Sequence, residues 1–147
     1  MTYQIPQYKC RLVRDGALER PYVSSFNQAK EILFELLADL PHEEIHALFV
    51  DGCNQIVGSV CVSQGGLHGA AINASDVFRP AIVAGASGII LSHNHPSGDP
   101  TPSVSDLLLT KKLLQAGELL GIQLLDHIIV CPETRRSSSV VDALDGK

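Results

Sequence analysis

Apolar and polar positions change period along the chain, and the changes mark out elements. KCRLVR, residues 9–14, alternates and runs into Asp15-Gly16, the pattern of an edge strand entering a turn. From Phe26 the period lengthens: Phe26, Ala29, Leu33, Leu36 and Leu37 recur at helical spacing through FNQAKEILFELLADL, with Ser24 or Ser25 as cap and Pro41 marking the end. IHALFVD (45–51) and QIVGSVCVS (55–63) flank Asp51-Gly52-Cys53-Asn54 and predict an antiparallel hairpin. Gly65-Gly66 then breaks the pattern.

Asn73 and Ser75 are candidate caps for a helix through ASDVFRPAIVAGA, which Pro80 is expected to kink or shorten. GIILSHNH (88–95) opens as a continuous apolar run short enough for a buried strand, with polar residues at its exit. After the loop PSGDPTP comes a helix through LLLTKKLLQAGELL, ended by Gly121, and then a strand IQLLDHIIV. The remainder, ETRRSSSVVDALDGK, has no apolar period, and 134–147 reads as a poorly ordered tail. Strands and helices interspersed around a hairpin give an α/β class, a mixed sheet packed against helices.

Length and composition fit one domain: 147 residues, 45% hydrophobic and 18% charged, with a core over about 24–133. A formal charge of −5 without any run of basic residues provides no electrostatic footprint for nucleic acid, so direct DNA binding is not expected without a partner. The N-terminal residues lack the apolar core of a signal peptide, and no apolar stretch is long enough for a membrane span, so a cytoplasmic protein is expected. Cys10, Cys53, Cys61 and Cys131 form no CxxC pair. Cys61 and Cys131 lie in apolar runs, where a free cysteine behaves as a small buried hydrophobe. Oligomeric state is not encoded in any pattern of this kind.

The chemistry concentrates in SHNHPSGDPTPSVSD, residues 92–106. His93 and His95 are separated by one residue at a strand end, so an extended backbone projects both imidazoles to one side. A catalytic zinc site needs a third protein ligand and an open position for water, and Asp106 can supply that ligand from the first turn of the next helix. Ser103-x-x-Asp106 is equally the pattern of a helix capping box. The histidine pair tips the reading toward ligation, because polar rings ending a buried strand need partners. Asp99 reads as a turn residue, Lys111-Lys112 as a solvated helix face, and His42, His46 and His68 as surface or packing histidines.

His-x-His, seven residues, Ser, two residues, Asp matches the JAMM metalloprotease motif of MPN-type domains. From about Glu43 to Val130 the chain resembles the bacterial RadC family, in HNHPSGDPTPS, in the AGELLGI helix end and in LLDHIIV. The resemblance implies an MPN/JAB fold, a layering of helices on a mixed sheet like that of cytidine deaminases. It implies one Zn2+ per chain held by His93, His95 and Asp106, an upstream glutamate that handles protons, and a serine hydroxyl, Ser103, at the oxyanion. Aligning the ALFVD strand with the family selects Glu43 for the proton and keeps Glu44 as the alternative. His127 belongs to the shared blocks without a ligand role, which leaves it a supporting one behind the ligands.

The expected activity is metal-assisted hydrolysis of a peptide or isopeptide bond. RadC proteins also carry a DNA-repair label and often an N-terminal helix-hairpin-helix region. In this sequence the catalytic-type domain starts close to the first residue, so a role as an accessory DNA-repair factor, the alternative reading, is expected to need a partner. A zinc deaminase is disfavoured: H-x-E and P-C-x-x-C are both missing, and Cys131-Pro132 has the reverse order.

Overall fold

A computed structural model describes residues 20–65 and 72–147; the strand expected at 9–14, Gly66 and His68 lie outside them. Ser25 caps α1 (Phe26–Leu36), its hydroxyl accepting from Gln28 N–H. The hairpin follows as β1 (Glu44–Val50) and β2 (Ile56–Gln64), paired antiparallel around the Asp51–Asn54 turn. Asp51 Oδ1 accepts from Cys53 and Gln55 N–H inside that turn, and Asn54 adopts the left-handed conformation. In α2 (Ala74–Ala84) the Asp76 carboxylate accepts from Asn73 N–H, and the helix continues past Pro80 to Gly85.

β3 (Gly88–Asn94) is buried along its whole length, which explains why its sequence lacks alternation. A connection through α3 (Val104–Leu120) leads to β4 (Gln123–Cys131), which pairs parallel to β3. Gly121 ends α3 in the left-handed conformation, and Gly117 lets the returning chain pass so close that a Cβ there would lie 2.5 Å from the Ile122 carbonyl.

Residues 134–147 depart from the expected disordered tail: they form β5 (Arg136–Ser139), antiparallel to β4, and α4 (Val140–Leu144). The physical reason is that this segment is held by backbone pairing and hydroxyls rather than by apolar periodicity. Ser139 Oγ accepts from Asp142 N–H and donates to Asp126, Ser138 Oγ donates to the Pro100 carbonyl, and Val140 is fully buried.

Among the described residues the architecture is thus a mixed five-stranded sheet, order β2-β1-β3-β4-β5, with four helices. One face packs Ile45, Ala47, Phe49, Ile89 and Leu91 against Val77 and Phe78 of α2 and Leu109 and Leu113 of α3. The other packs Leu48, Ile90, Ile128 and Val130 against Ala29, Leu33 and Phe34 of α1 and its C-cap Leu37. Cys131 is buried as expected, but Cys61, on the edge strand β2, is exposed. No helix among them is long and apolar enough to cross a membrane.

Candidate metal centre

Strand period and helix capping together build the site at the end of β3. Ile45 pairs with His93, so residues of odd number on β3 face α3, and His95 continues that side past the strand end. His93 Nε2 and His95 Nε2 stand 2.9 Å apart. Asp106 enters from the first turn of α3, its Oδ1 3.4 Å from His93 Nε2 and its Oδ2 3.9 Å from His95 Nε2.

The two readings of Ser103-x-x-Asp106 prove compatible, because the carboxylate has two oxygens. Oδ2 accepts from Ser103 N–H and from Ser103 Oγ, each at 2.7 Å, while Ser103 Oγ accepts from Asp106 N–H at 3.2 Å. Oδ1 is buried and has no hydrogen-bond partner. A buried, unpaired carboxylate oxygen is costly and calls for a cation.

Hydrogen-bond logic shows that His93 also presents a lone pair. Thr110 Oγ must donate to the Asp106 carbonyl 2.6 Å away, since a carbonyl only accepts; the hydroxyl then accepts from His127 Nδ1–H at 2.7 Å. The neutral His127 ring has an acceptor left at Nε2, so His93 Nδ1–H donates to it across 2.8 Å. Burial pushes His127 well below the ordinary histidine range, and burial lowers His93 to about 4 against the opposing pull of Asp106. His93 Nε2 is therefore a lone pair. His95 Nδ1 donates to the Asp99 carbonyl at 2.8 Å, which leaves Nε2 as the atom of this ring that can meet a metal.

Three ligand-type atoms, His93 Nε2, His95 Nε2 and Asp106 Oδ1, thus converge. Tetrahedral zinc with bonds near 2.0–2.1 Å separates its donors by about 3.3 Å, close to the distances found, and the nitrogen–oxygen donor set suits that ion. The residues present fit a zinc ion. His93 and Asp106 are buried, whereas the His95 and Glu43 side chains are 16% and 25% exposed, so solvent reaches the centre from their side.

Glu43 Oε1 lies 3.9 Å from His93 Nε2 and groups with His93 and His95. Glu44, the next residue, points to the opposite face, where His46 Nε2 at 2.8 Å and His42 Nε2 at 3.1 Å contact its carboxylate. The hydrogen bond from His46 is the main reason that this carboxyl sits below the usual range, making it a poor base.

Three contributions escaped the sequence reading. The buried Asn94, between the two histidines, accepts from Glu44 N–H at 2.7 Å and donates to the His42 carbonyl at 2.9 Å, clamping the segment that carries Glu43. Thr110 completes the His127 chain. Asp99, read as a turn residue, does form a turn with Thr101, yet its carbonyl also orients His95. The x of His-x-His and a polar residue inside an apolar helix were the available signals.

The buried neutral histidines have a consequence for acid stability. In the unfolded chain they titrate near the ordinary 6.5, whereas in the folded protein His93 does so at about 4 and burial holds His127 well below 6.5. Between those values the unfolded state binds more protons, so stability is full above pH 6.5 and falls as pH drops. Chelator-treated protein should show urea midpoints that decline steadily from pH 7 to pH 4; a flat profile would contradict neutral buried rings.

Residues 23–143 match the sequence model of a family described as the RadC-like JAB domain. A UPF0758 protein of Shouchella clausii is 40% identical over 120 residues, covering 82% of this chain and 52% of that protein. A UPF0758 protein of Flavobacterium johnsoniae is 38% identical over 130 residues, with 88% and 56% covered. One from Listeria monocytogenes serotype 4b is 45% identical over 102 residues, with 69% and 46% covered. These names state no activity, and the chain spans about half the length of the curated relatives it matches.

Proposed function

The chain belongs to the RadC family of JAB domains, and from that premise we propose that it is a zinc-dependent hydrolase of amide or isopeptide bonds. The observation that carries this reading is the convergence of His93 Nε2, His95 Nε2 and the unpartnered Asp106 Oδ1 beside the Glu43 carboxylate. These three residues would hold one zinc ion. When bound, the ion supplies Lewis acidity, which lowers the pKa of water to about 7 and polarises a carbonyl.

The protein's own groups do the rest. Glu43 takes the proton of the attacking water and returns it to the leaving nitrogen, and its partial exposure allows the carboxylate to meet both. Asn94 keeps Glu43 in place through its two backbone contacts. Ser103 Oγ gives its hydrogen to Asp106 Oδ2 in the resting arrangement, and in the reaction it turns that donor toward the developing oxyanion. Oδ2 retains Ser103 N–H, so the turn does not strip that oxygen of its donors. One such donor is worth on the order of 10²-fold in rate.

Zinc dependence is the direct test. Protein purified without chelator is expected to contain this ion and to cleave members of a peptide and isopeptide library. Stripping the metal should abolish cleavage, and zinc should restore it. Failure to retain zinc, together with no gain in thermal stability on adding it, would sink the reading.

A further inference from the structure

On the opposite face of the sheet from the centre described above, a second group of ligand-type side chains gathers around Glu44. Glu44 and His46 are two residues apart in β1, so the strand turns both to one side, and His42, in the bend just before it, contacts the same carboxylate. Cys61 lies directly across the hairpin from His46. The β1–β2 register shifts here: Ile45 pairs with Ser63 and His46 with Cys61, which leaves Val62 as the extra residue of a bulge. Bulges of this kind re-aim neighbouring side chains. Glu44 Oε1 is 3.1 Å from His42 Nε2, and Oε2 is 2.8 Å from His46 Nε2 and 3.8 Å from Cys61 Sγ.

We propose that His42, Glu44, His46 and Cys61 form a second metal site, which takes one soft divalent cation of the zinc class. Tetrahedral zinc bonded to nitrogen, oxygen and sulfur keeps these donors about 3.3 to 3.6 Å apart; the ligand atoms of Glu44, His46 and Cys61 already lie within 4.8 Å of one another, and His42, now on the other carboxylate oxygen, has to swing in from the segment before β1 to complete the set. Two neutral imidazoles, a carboxylate and a thiolate also balance the charge of a divalent ion. Binding exchanges the Cys61 thiol proton for the metal, so one proton is released per ion, and each histidine moves its Nε2 proton to Nδ1 through solvent.

Four protein ligands leave no open position, which makes this a structural site. It ties the segment before β1 to the edge strand β2, on the peptide next to Glu43. The site stands independently of the proposed hydrolase, because the two ligand sets share no residue and face opposite sides of β1.

Cobalt(II) titration of the stripped full chain, read by equilibrium dialysis and near-ultraviolet absorption, tests it. The first centre offers only nitrogen and oxygen, so thiolate-to-cobalt charge-transfer absorption reports the second alone. Two ions per chain with this absorption are expected. Cys61→Ser, at an exposed position, should reduce the count to one and abolish the band, while His93→Ala with His95→Ala should keep the band. A single ion per chain without the band, two ions without it, or a band that survives Cys61→Ser would each overturn the site. Loss of the first ion alone would count against the hydrolase reading and leave this one standing.

Discussion

Replacing Glu43 by glutamine is expected to lower kcat on a cleaved peptide or isopeptide by about 10² to 10⁴ while zinc content stays at that of the wild type. Glutamine keeps the size and hydrogen-bonding reach of the side chain but cannot accept a proton. Glu43 is not among the three converging donors, so its replacement spares the metal: the contact to His93 Nε2 is 3.9 Å, longer than the other donor separations on that atom. The acidic limb of the kcat profile against pH, which follows ionisation of the proton carrier, should vanish with the substitution. Glu43→Asp, which retains the acid but shortens the arm, should fall between. Equal cleavage by wild type and Glu43→Gln, with zinc retained in both, would remove Glu43 from the chemistry.

The ligand cluster was legible from the sequence because its parts obey two short-range rules. Alternation along a strand put His93 and His95 on one side, and the capping pattern put Asp106 in the first turn of α3. Competition between capping and ligation could not be settled there, because it turns on how two oxygens of one carboxylate are shared. Glu43 could be chosen only through family resemblance: its approach to His93 comes from the pairing of β1 with β3, a contact some fifty residues apart in sequence. The same limit explains Cys61 and His46, which looked unremarkable singly and meet only because β1 and β2 pair with a bulge. The C-terminal segment was illegible for a different reason, since RSSS carries no apolar period and its strand is specified by β4 and by hydroxyl contacts.

Substituting His127 by phenylalanine is expected to weaken zinc binding by about 10- to 100-fold, the usual cost of losing the group behind a metal-ligating histidine. The ring is fully buried, and phenylalanine fills its space, so the change removes hydrogen bonding more than volume. His93 Nδ1–H then loses its acceptor and Thr110 Oγ loses its donor. The buried His93 Nδ1–H left without a partner also costs roughly 1–3 kcal/mol in folding stability, whereas Thr110 Oγ keeps its bond to the Asp106 carbonyl. Nothing would then fix the proton of His93 on Nδ1. A ring protonated at Nε2 presents a hydrogen, not a lone pair, to the metal position.

His127→Gln keeps an acceptor toward His93 and a donor toward Thr110 and should recover part of the affinity. Thr110→Val, which cuts the chain one link further away, should cost less than His127→Phe. Chelator competition on folded protein separates this role from a purely structural one, as does the nitrogen chemical-shift signature of the His93 tautomer. A lowered melting temperature with unchanged zinc affinity and an unchanged Nδ1–H tautomer would mean that His127 packs the core without tuning the ligand. The hydrogen-bond chain predicts the opposite, because Thr110 is committed to the Asp106 carbonyl, and that commitment sets every proton position as far as His93 Nε2.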